Sequence, residues 1–193
     1  MKLNKEFWKE KYRLEDTPWD AGSATTPITT FIDGLEDKNL KILIPGAGNG
    51  HEFEYLYNKG FKNIYALDIT EEPLVNIKRK LPELPEKYLI LQDFFQLTGS
   101  FDLILEQTFF CALAPDLRPL YAKKINEILT QKGQLAGVLF DFPLTESGPP
   151  YGGDISEYIR LFEPFFKIKT LERCYNSIKP RKDKEIFIHF YKK

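Results

Sequence analysis

The chain has 193 residues, 42% of them hydrophobic and 28% charged, which is enough for one domain with a real hydrophobic core. A formal net charge of -1 with no basic cluster argues against a nucleic-acid or anionic-membrane footprint. No run of about 18 apolar residues exists to cross a bilayer, and the charged stretch Met1–Trp8 is not a signal peptide, so a reducing cytoplasm is the expected address and a small molecule the expected partner.

In chain order, Trp8 and Tyr12 come first, four residues apart on one face of an N-terminal helix. A strand over Leu40–Ile44 ends at Pro45-Gly46, and a helix follows over His51–Lys59 with Phe53, Leu56 and Tyr57 on one stripe. The second strand, Asn63–Leu67, runs straight into Asp68. Thr70 then reads as an N-cap before an acidic first turn and an early proline, Glu71-Glu72-Pro73, of a helix reaching Lys80. A third strand, Lys87–Leu91, leads into Gln92-Asp93-Phe94, and a fourth, Phe101–Leu105, into Glu106-Gln107. The apolar stripe from Leu117 to Thr130 predicts a helix that stops near Gly133. Gln134–Phe140 is the fifth strand. A helix over Asp154–Phe162 precedes two alternating strands, Phe165–Cys174 and Glu185–Tyr191, joined by a turn in which Lys179, Arg181, Lys182 and Lys184 read as solvated charge.

Short continuous apolar strands alternating with helices predict an α/β fold. The expected sheet is doubly wound, mostly parallel and seven-stranded, closed at one edge by a C-terminal antiparallel hairpin. The two cysteines, Cys111 and Cys174, lie in separate apolar runs with no Cys-x-x-Cys or Cys/His grouping, so neither a disulfide framework nor a metal site is expected.

The sharpest local signal is Gly46-Ala-Gly48-Asn-Gly50 between a strand and a helix. The dinucleotide fingerprint G-x-G-x-x-G/A needs a small sixth residue, and here that residue is His51. The tighter G-x-G-x-G spacing favours the amino-acid end of S-adenosylmethionine over a pyrophosphate. Asp68, at the end of the second strand, is placed to accept from ribose hydroxyls. Asp93 is placed to accept from an adenine amino group, with Phe94 over the ring. Plainer readings stay open: a structural glycine turn, a helix-capping Asp68, and a turn Asp93 beside core phenylalanines.

Longer motifs are more specific. Phe7-Trp8-Lys-Glu-Lys-Tyr12, Thr17-Pro-Trp19-Asp20-x-Gly22, Ile44-Pro-Gly-Ala-Gly-Asn-Gly-His51, Phe109-Phe-Cys111-Ala, Pro115-x-x-Arg118-Pro and Gly148-Pro-Pro-Tyr151 span nearly the whole chain. In these the chain resembles the thiopurine methyltransferase family, nearest to its thiol and halide methyltransferases. The resemblance implies a class I S-adenosylmethionine-dependent methyltransferase of Rossmann-like fold. It implies a single domain over 1–193, with residues 1–30 as a segment covering the cofactor.

It further implies that Trp8, Tyr12 and Trp19 roof the cofactor, whose sulfonium cation aromatic faces attract. Gly46 and Gly48 would hold the methionine moiety, Asp68 the ribose, and Asp93 with Phe94 the adenine. Gln107 and Arg118 would lie at the cofactor site. Phe109, Phe110 and Tyr151 would wall a small, dry acceptor pocket framed by Gly148-Pro149-Pro150. The acceptor would be a soft nucleophile: a thiol, a sulfide, a halide or a thiopurine-like compound. Such an acceptor needs no strong general base, so none is assigned, and both His51 and His189 are read as structural. A S-adenosylmethionine-binding protein without catalysis is the alternative. A nicotinamide-dependent oxidoreductase is a weaker one, because the glycine spacing and the terminal hairpin argue against it.

Overall fold

A computed structural model describes residues 3–193. Met1 and Lys2, the first residues of the expected covering segment, lie outside the described residues. Seven strands form one sheet: β1 (Lys41–Pro45), β2 (Asn63–Asp68), β3 (Leu89–Leu91), β4 (Phe101–Gln107), β5 (Leu129–Phe140), β6 (Phe166–Arg173) and β7 (Glu185–Lys192). Their order is β3-β2-β1-β4-β5-β7-β6. The first five are parallel, and β7 runs antiparallel between β5 and β6. The hairpin thus closes one edge as expected, with the last strand turned inward and β6 outermost.

Among the described residues there are six α-helices, and all but the first cover the two faces. They are α1 (Lys5–Arg13), α2 (Thr26–Asp33), α3 (His51–Asn58), α4 (Glu71–Lys80), α5 (Arg118–Ile128) and α6 (Ile155–Phe162). On one face Ile28 and Ile32 of α2, Phe53 and Leu56 of α3 and Ile77 of α4 pack against Ile42 and Ile44 of β1. On the other, Tyr121 and Ile125 of α5 and Tyr158 and Phe162 of α6 pack against Leu43 of β1 and Ile104 of β4. Successive strand residues point to opposite faces and both faces are covered, so β1 is apolar throughout its buried part rather than alternating. No helix among the described residues is long and apolar enough to cross a membrane.

Two elements depart from the sequence reading. The helix expected to reach Thr130 ends at Ile128, and β5 begins at Leu129, not Gln134. The apolar stripe Ile125, Ile128, Leu129 continues across that boundary, so periodicity does not mark it. Strand pairing does: Leu129 sits opposite Phe101, and the Thr130 hydroxyl donates to Asp102 Oδ1 at 3.1 Å. The helix α2 was not expected. Pro27 in its first turn and the fully buried Ile28 and Ile32 account for it.

β1 lies between β2 and β4, so the direction of chain progression reverses there. Ligands of open α/β sheets bind at the carboxyl edge beside such a reversal. Gly46, Asp68 and Gln107 stand at the carboxyl ends of these three strands.

Candidate active site

All three glycines of the loop take left-handed backbone conformations, with φ of +59° at Gly46, +53° at Gly48 and +72° at Gly50. Only glycine adopts these at little cost, which explains the G-x-G-x-G spacing. A methyl on Gly46 would overlap the Phe109 ring, and one on Gly50 would overlap Ile77 of α4. Gly48 meets nothing within 4 Å and lies open to the cleft. The loop is anchored by Gly46 N–H and Ala47 N–H donating to Leu67 O, at 2.8 and 3.3 Å.

The leader segment closes over this loop. Trp19 packs edge-on against Trp8 and Tyr12, with ring centroids 5.4 and 5.7 Å away. Asp20 ties the segment down: its Oδ1 meets His51 Nε2 at 2.7 Å and accepts from Gly22 N–H at 2.7 Å, and Asn49 donates to its Oδ2. Burial alone would raise the Asp20 pKa, but the Asn49, Gly22 and His51 contacts outweigh it and hold the carboxylate ionised. His51 thus fastens the leader, and it also lines the cleft. From the other side, Arg181 Nη2 donates to Trp19 O at 2.6 Å.

Asp68 is 7% exposed, and its Oδ1 accepts from both the amide and the hydroxyl of Thr70, at 2.9 and 3.0 Å. Burial pushes its pKa up to about 6 against the opposing Thr70 bonds. Tyr12 is held protonated chiefly by burial and next by the Asp68 charge, which puts the leader aromatics and this carboxylate in one electrostatic environment.

The turn after β4 completes the cleft. Glu106, fully buried, accepts from Phe109 N–H and Phe110 N–H through Oε1, at 2.8 and 2.9 Å, and from the Tyr121 hydroxyl through Oε2 at 2.5 Å. Burial pushes its pKa up to about 7, with those three donors opposing. The turn so held puts Thr108 in a left-handed conformation with φ of +60°. Gln107 Oε1 accepts from the Thr25 hydroxyl at 2.7 Å, while its buried Nε2 has no protein partner.

Trp19, Gly46, Gly48, Gln107, Thr108 and Arg181 line one cleft. Of the expected site residues, the structure therefore brings Trp19, Gly46, Gly48 and Gln107 to one surface. Trp8 and Tyr12 pack behind Trp19, and Phe109 supports Gly46 from below. Others lie elsewhere. Asp93 caps a short turn by accepting from Phe95 N–H at 2.9 Å. Phe94 is 3% exposed and stacks on Tyr121 with centroids 5.4 Å apart. Phe110 is core, packed on Tyr121 and Tyr158, and does not line the cleft. Arg118 is also buried: Nη1 makes a two-oxygen bond to Glu157 at 2.7 and 2.9 Å, and Nη2 donates to Gly152 O at 2.7 Å. It holds the segment beside Tyr151, whose N–H donates to Cys111 O at 2.8 Å.

Arg181 corrects the sequence reading. The sequence places it in a solvated basic turn, yet it is 9% exposed and forms a wall of the cleft. Thr25 and Glu185 were likewise unmarked. Topology carries the missing signal: β7 is antiparallel to β5, so it starts where β5 ends. The turn leading into it thereby reaches the carboxyl edge.

A profile of the Thiopurine S-methyltransferase family matches residues 3–192. The chain is 33% identical over 186 residues to thiocyanate methyltransferase 1 of Arabidopsis thaliana, covering 92% of this chain and 81% of the relative. Probable thiol methyltransferase 2 of the same plant is 30% identical over 184 residues, with the same coverage of 92% and 81%. Among solved structures, 1,6-didemethyltoxoflavin-N1-methyltransferase of Burkholderia thailandensis superposes with a TM-score of 0.79 at 18% identity, over 97% of this chain and 86% of that one.

Proposed function

The chain belongs to the thiopurine S-methyltransferase family, and from that premise we propose that it moves a methyl group from S-adenosylmethionine to a small soft nucleophile by in-line displacement. It is an S-adenosylmethionine-dependent methyltransferase. The acceptor class we infer is a thiol, sulfide, halide or thiopurine-like compound, in line with the sulfur compounds in the relatives' names. One observation carries this reading: the leader aromatics, the glycine loop and the turn after β4 enclose a single cleft at the strand-order reversal.

The residues fit the methyl donor. Left-handed Gly46 and Gly48 leave backbone open for a close-lying amino-acid moiety, and the buried Gln107 Nε2 is a donor in want of an acceptor. Asp68 offers a carboxylate to ribose hydroxyls, and Asp93, at the neighbouring strand end, would accept from the adenine amino group, while Phe94 stays in the core. The bound donor supplies a methyl already activated on a sulfonium. The protein's work is then to orient the partners and exclude water, and well-aligned reactants gain about 7–11 kcal/mol from orientation. Trp19, backed by Trp8 and Tyr12, offers aromatic faces that attract a cation by about 0.5–2 kcal/mol. Gln107, Thr108 and Arg181 bound the end of the cleft toward the acceptor, with Phe109 packed under Gly46. Of the described residues, 3–30 act as the cover of a single domain that works in the cytoplasm, where its two buried, unpaired cysteines stay reduced.

The two tryptophans, Trp8 and Trp19, both lie in the covering segment, so intrinsic fluorescence reports on the cleft directly. Titration with S-adenosylhomocysteine should give a saturable fluorescence change and a matching calorimetric isotherm. A labelled-methyl screen of thiols, hydrosulfide, thiocyanate, iodide and thiopurines should yield at least one methylated product. Absence of saturable binding would end the reading.

A further inference from the structure

A second, smaller hollow adjoins the cleft. It is lined by Thr108, Cys111, Val138, Leu139, Phe140 and Glu185, and it shares Thr108 with the cleft. Two opposite charges lie where the two spaces meet. Arg181 spends Nη2 on Trp19 O, while its buried Nη1 makes no hydrogen bond. The nearest charge to Nη1 is Glu185 Oε1 at 3.6 Å, and Glu185 is only 2% exposed. The remaining walls of the smaller hollow are apolar or neutral, and the cleft also carries Asp20, His51 and Glu52.

We propose that Arg181 and Glu185 form a proton-coupled acceptor subsite: the soft nucleophile binds against Arg181 as an anion while Glu185 holds one proton. The inference rests on the methyltransferase reading above and adds how the acceptor is charged when it reacts. A guanidinium nitrogen at a cleft wall that makes no hydrogen bond, and only a 3.6 Å ion pair to Glu185, has donors to spare for an anion. An ionised Glu185 beside it repels the same anion in surroundings that screen charge poorly. Both conditions are met when each bound anion is matched by a proton on the carboxylate. A thiol brings its own: the S–H bond breaks, its electron pair stays on sulfur, and a carboxylate O–H bond forms on Glu185. Arg181 exchanges one anionic partner for another, and no charge is gained or lost. Thiocyanate or iodide arrives without a proton, so Glu185 must take one from solution.

The groups around Glu185 allow this. Cys174, at the end of β6, donates its N–H to Glu185 O at 2.8 Å, and burial raises the pKa of both its thiol and that of Cys111, keeping them neutral. Burial raises the Glu185 pKa too, with the Ser177 hydroxyl and then Arg181 opposing. Glu52 of α3 is the other carboxylate near Arg181, and burial likewise raises its pKa. It accepts from Thr25 N–H at 3.3 Å.

The test is calorimetry of sodium thiocyanate binding to the S-adenosylhomocysteine complex at pH 7.5, in two buffers of different ionisation enthalpy, where no methyl can move. Wild type should take up about one proton per anion bound, E185Q none, and E52Q the same as wild type. In turnover, the wild-type KM for thiocyanate should rise about tenfold per pH unit between pH 7 and 8.5, and that of E185Q should stay flat. With 2-mercaptoethanol the pattern inverts: wild type is flat, while E185Q improves with pH until the thiol itself ionises. E185D, should E185Q not fold, keeps proton uptake. Thiocyanate binding without proton uptake in wild type, equal uptake in E185Q, or loss of uptake in E52Q overturns the subsite. A wild type that binds S-adenosylhomocysteine but methylates neither acceptor overturns the underlying reading instead.

Discussion

Replacing Asp68 by Asn separates the work of the cleft from the stability of the fold. A carboxyl that ionises at 3.8 in an unfolded chain is pushed up to about 6 here, because burial disfavours its charge. At 1.36 kcal/mol per pH unit, keeping Asp68 ionised at pH 7 costs the native state about 3 kcal/mol. Asn keeps the oxygen that accepts from Thr70 N–H and Oγ1 and carries no charge. Burying its amide offsets part of the gain, so D68N should be more stable than wild type by about 1–3 kcal/mol at pH 7. The direction with pH is fixed. The folded chain holds this proton more tightly than the unfolded chain, so wild-type stability from this group is present below pH 3.8 and is lost as pH rises through about 6. The advantage of D68N should therefore grow between those values and level off above them. Urea unfolding of both proteins from pH 4 to 7.5 measures it. S-adenosylhomocysteine affinity should fall at least about tenfold in D68N, about 1.4 kcal/mol. An advantage that does not vary with pH, or undiminished affinity, would refute the argument.

The loop glycines give a paired comparison. G46A forces a methyl into the Phe109 ring and should abolish ligand binding, whereas G48A meets no neighbour and carries only left-handed strain, about 1–2 kcal/mol by thermal unfolding. Equal effects at the two positions would contradict the packing role of Gly46. R118A leaves Glu157 and Gly152 O without their partner and should destabilise the fold by about 3 kcal/mol, the low end for a buried pair because Glu157 is 23% exposed. It should also speed protease cleavage near Gly148–Tyr151; a change confined to ligand affinity would restore Arg118 to the cofactor site.

The sheet was legible because its strands are buried on both faces. Runs such as Ile42–Ile44 and Leu103–Leu105 have no polar positions to confuse with a surface helix. The α5–β5 boundary was not, because Ile128 and Leu129 are both buried on either side of a change in backbone that only the pairing with β4 dictates. In the cleft, Gly46, Gly48 and Gln107 were legible because each stands at or just past a strand end, and strand ends on one edge of a parallel sheet converge wherever they fall in the chain. Phe110 and Arg118 occupy motif positions, and Phe94 follows a strand end, but all three are buried within the domain. A motif records that a residue is needed, not whether a ligand or a neighbouring helix needs it.

Arg181 shows the opposite limit. In the run Lys179-Pro-Arg-Lys-Asp-Lys184, Lys182, Asp183 and Lys184 are exposed and Arg181 alone is buried. Residue type and spacing do not single it out. Two tertiary facts do: β7 starts at the carboxyl edge, and the leader presents the Trp19 carbonyl 2.6 Å from the guanidinium. One cation thus fastens the cover of the cleft with one nitrogen and faces Glu185 with the other. Loosening the cover and altering acceptor charge are then coupled through a single side chain. Any substitution of Arg181 must disturb both, and this is why Glu185, which touches only the second, is the position at which proton coupling is separable from closure.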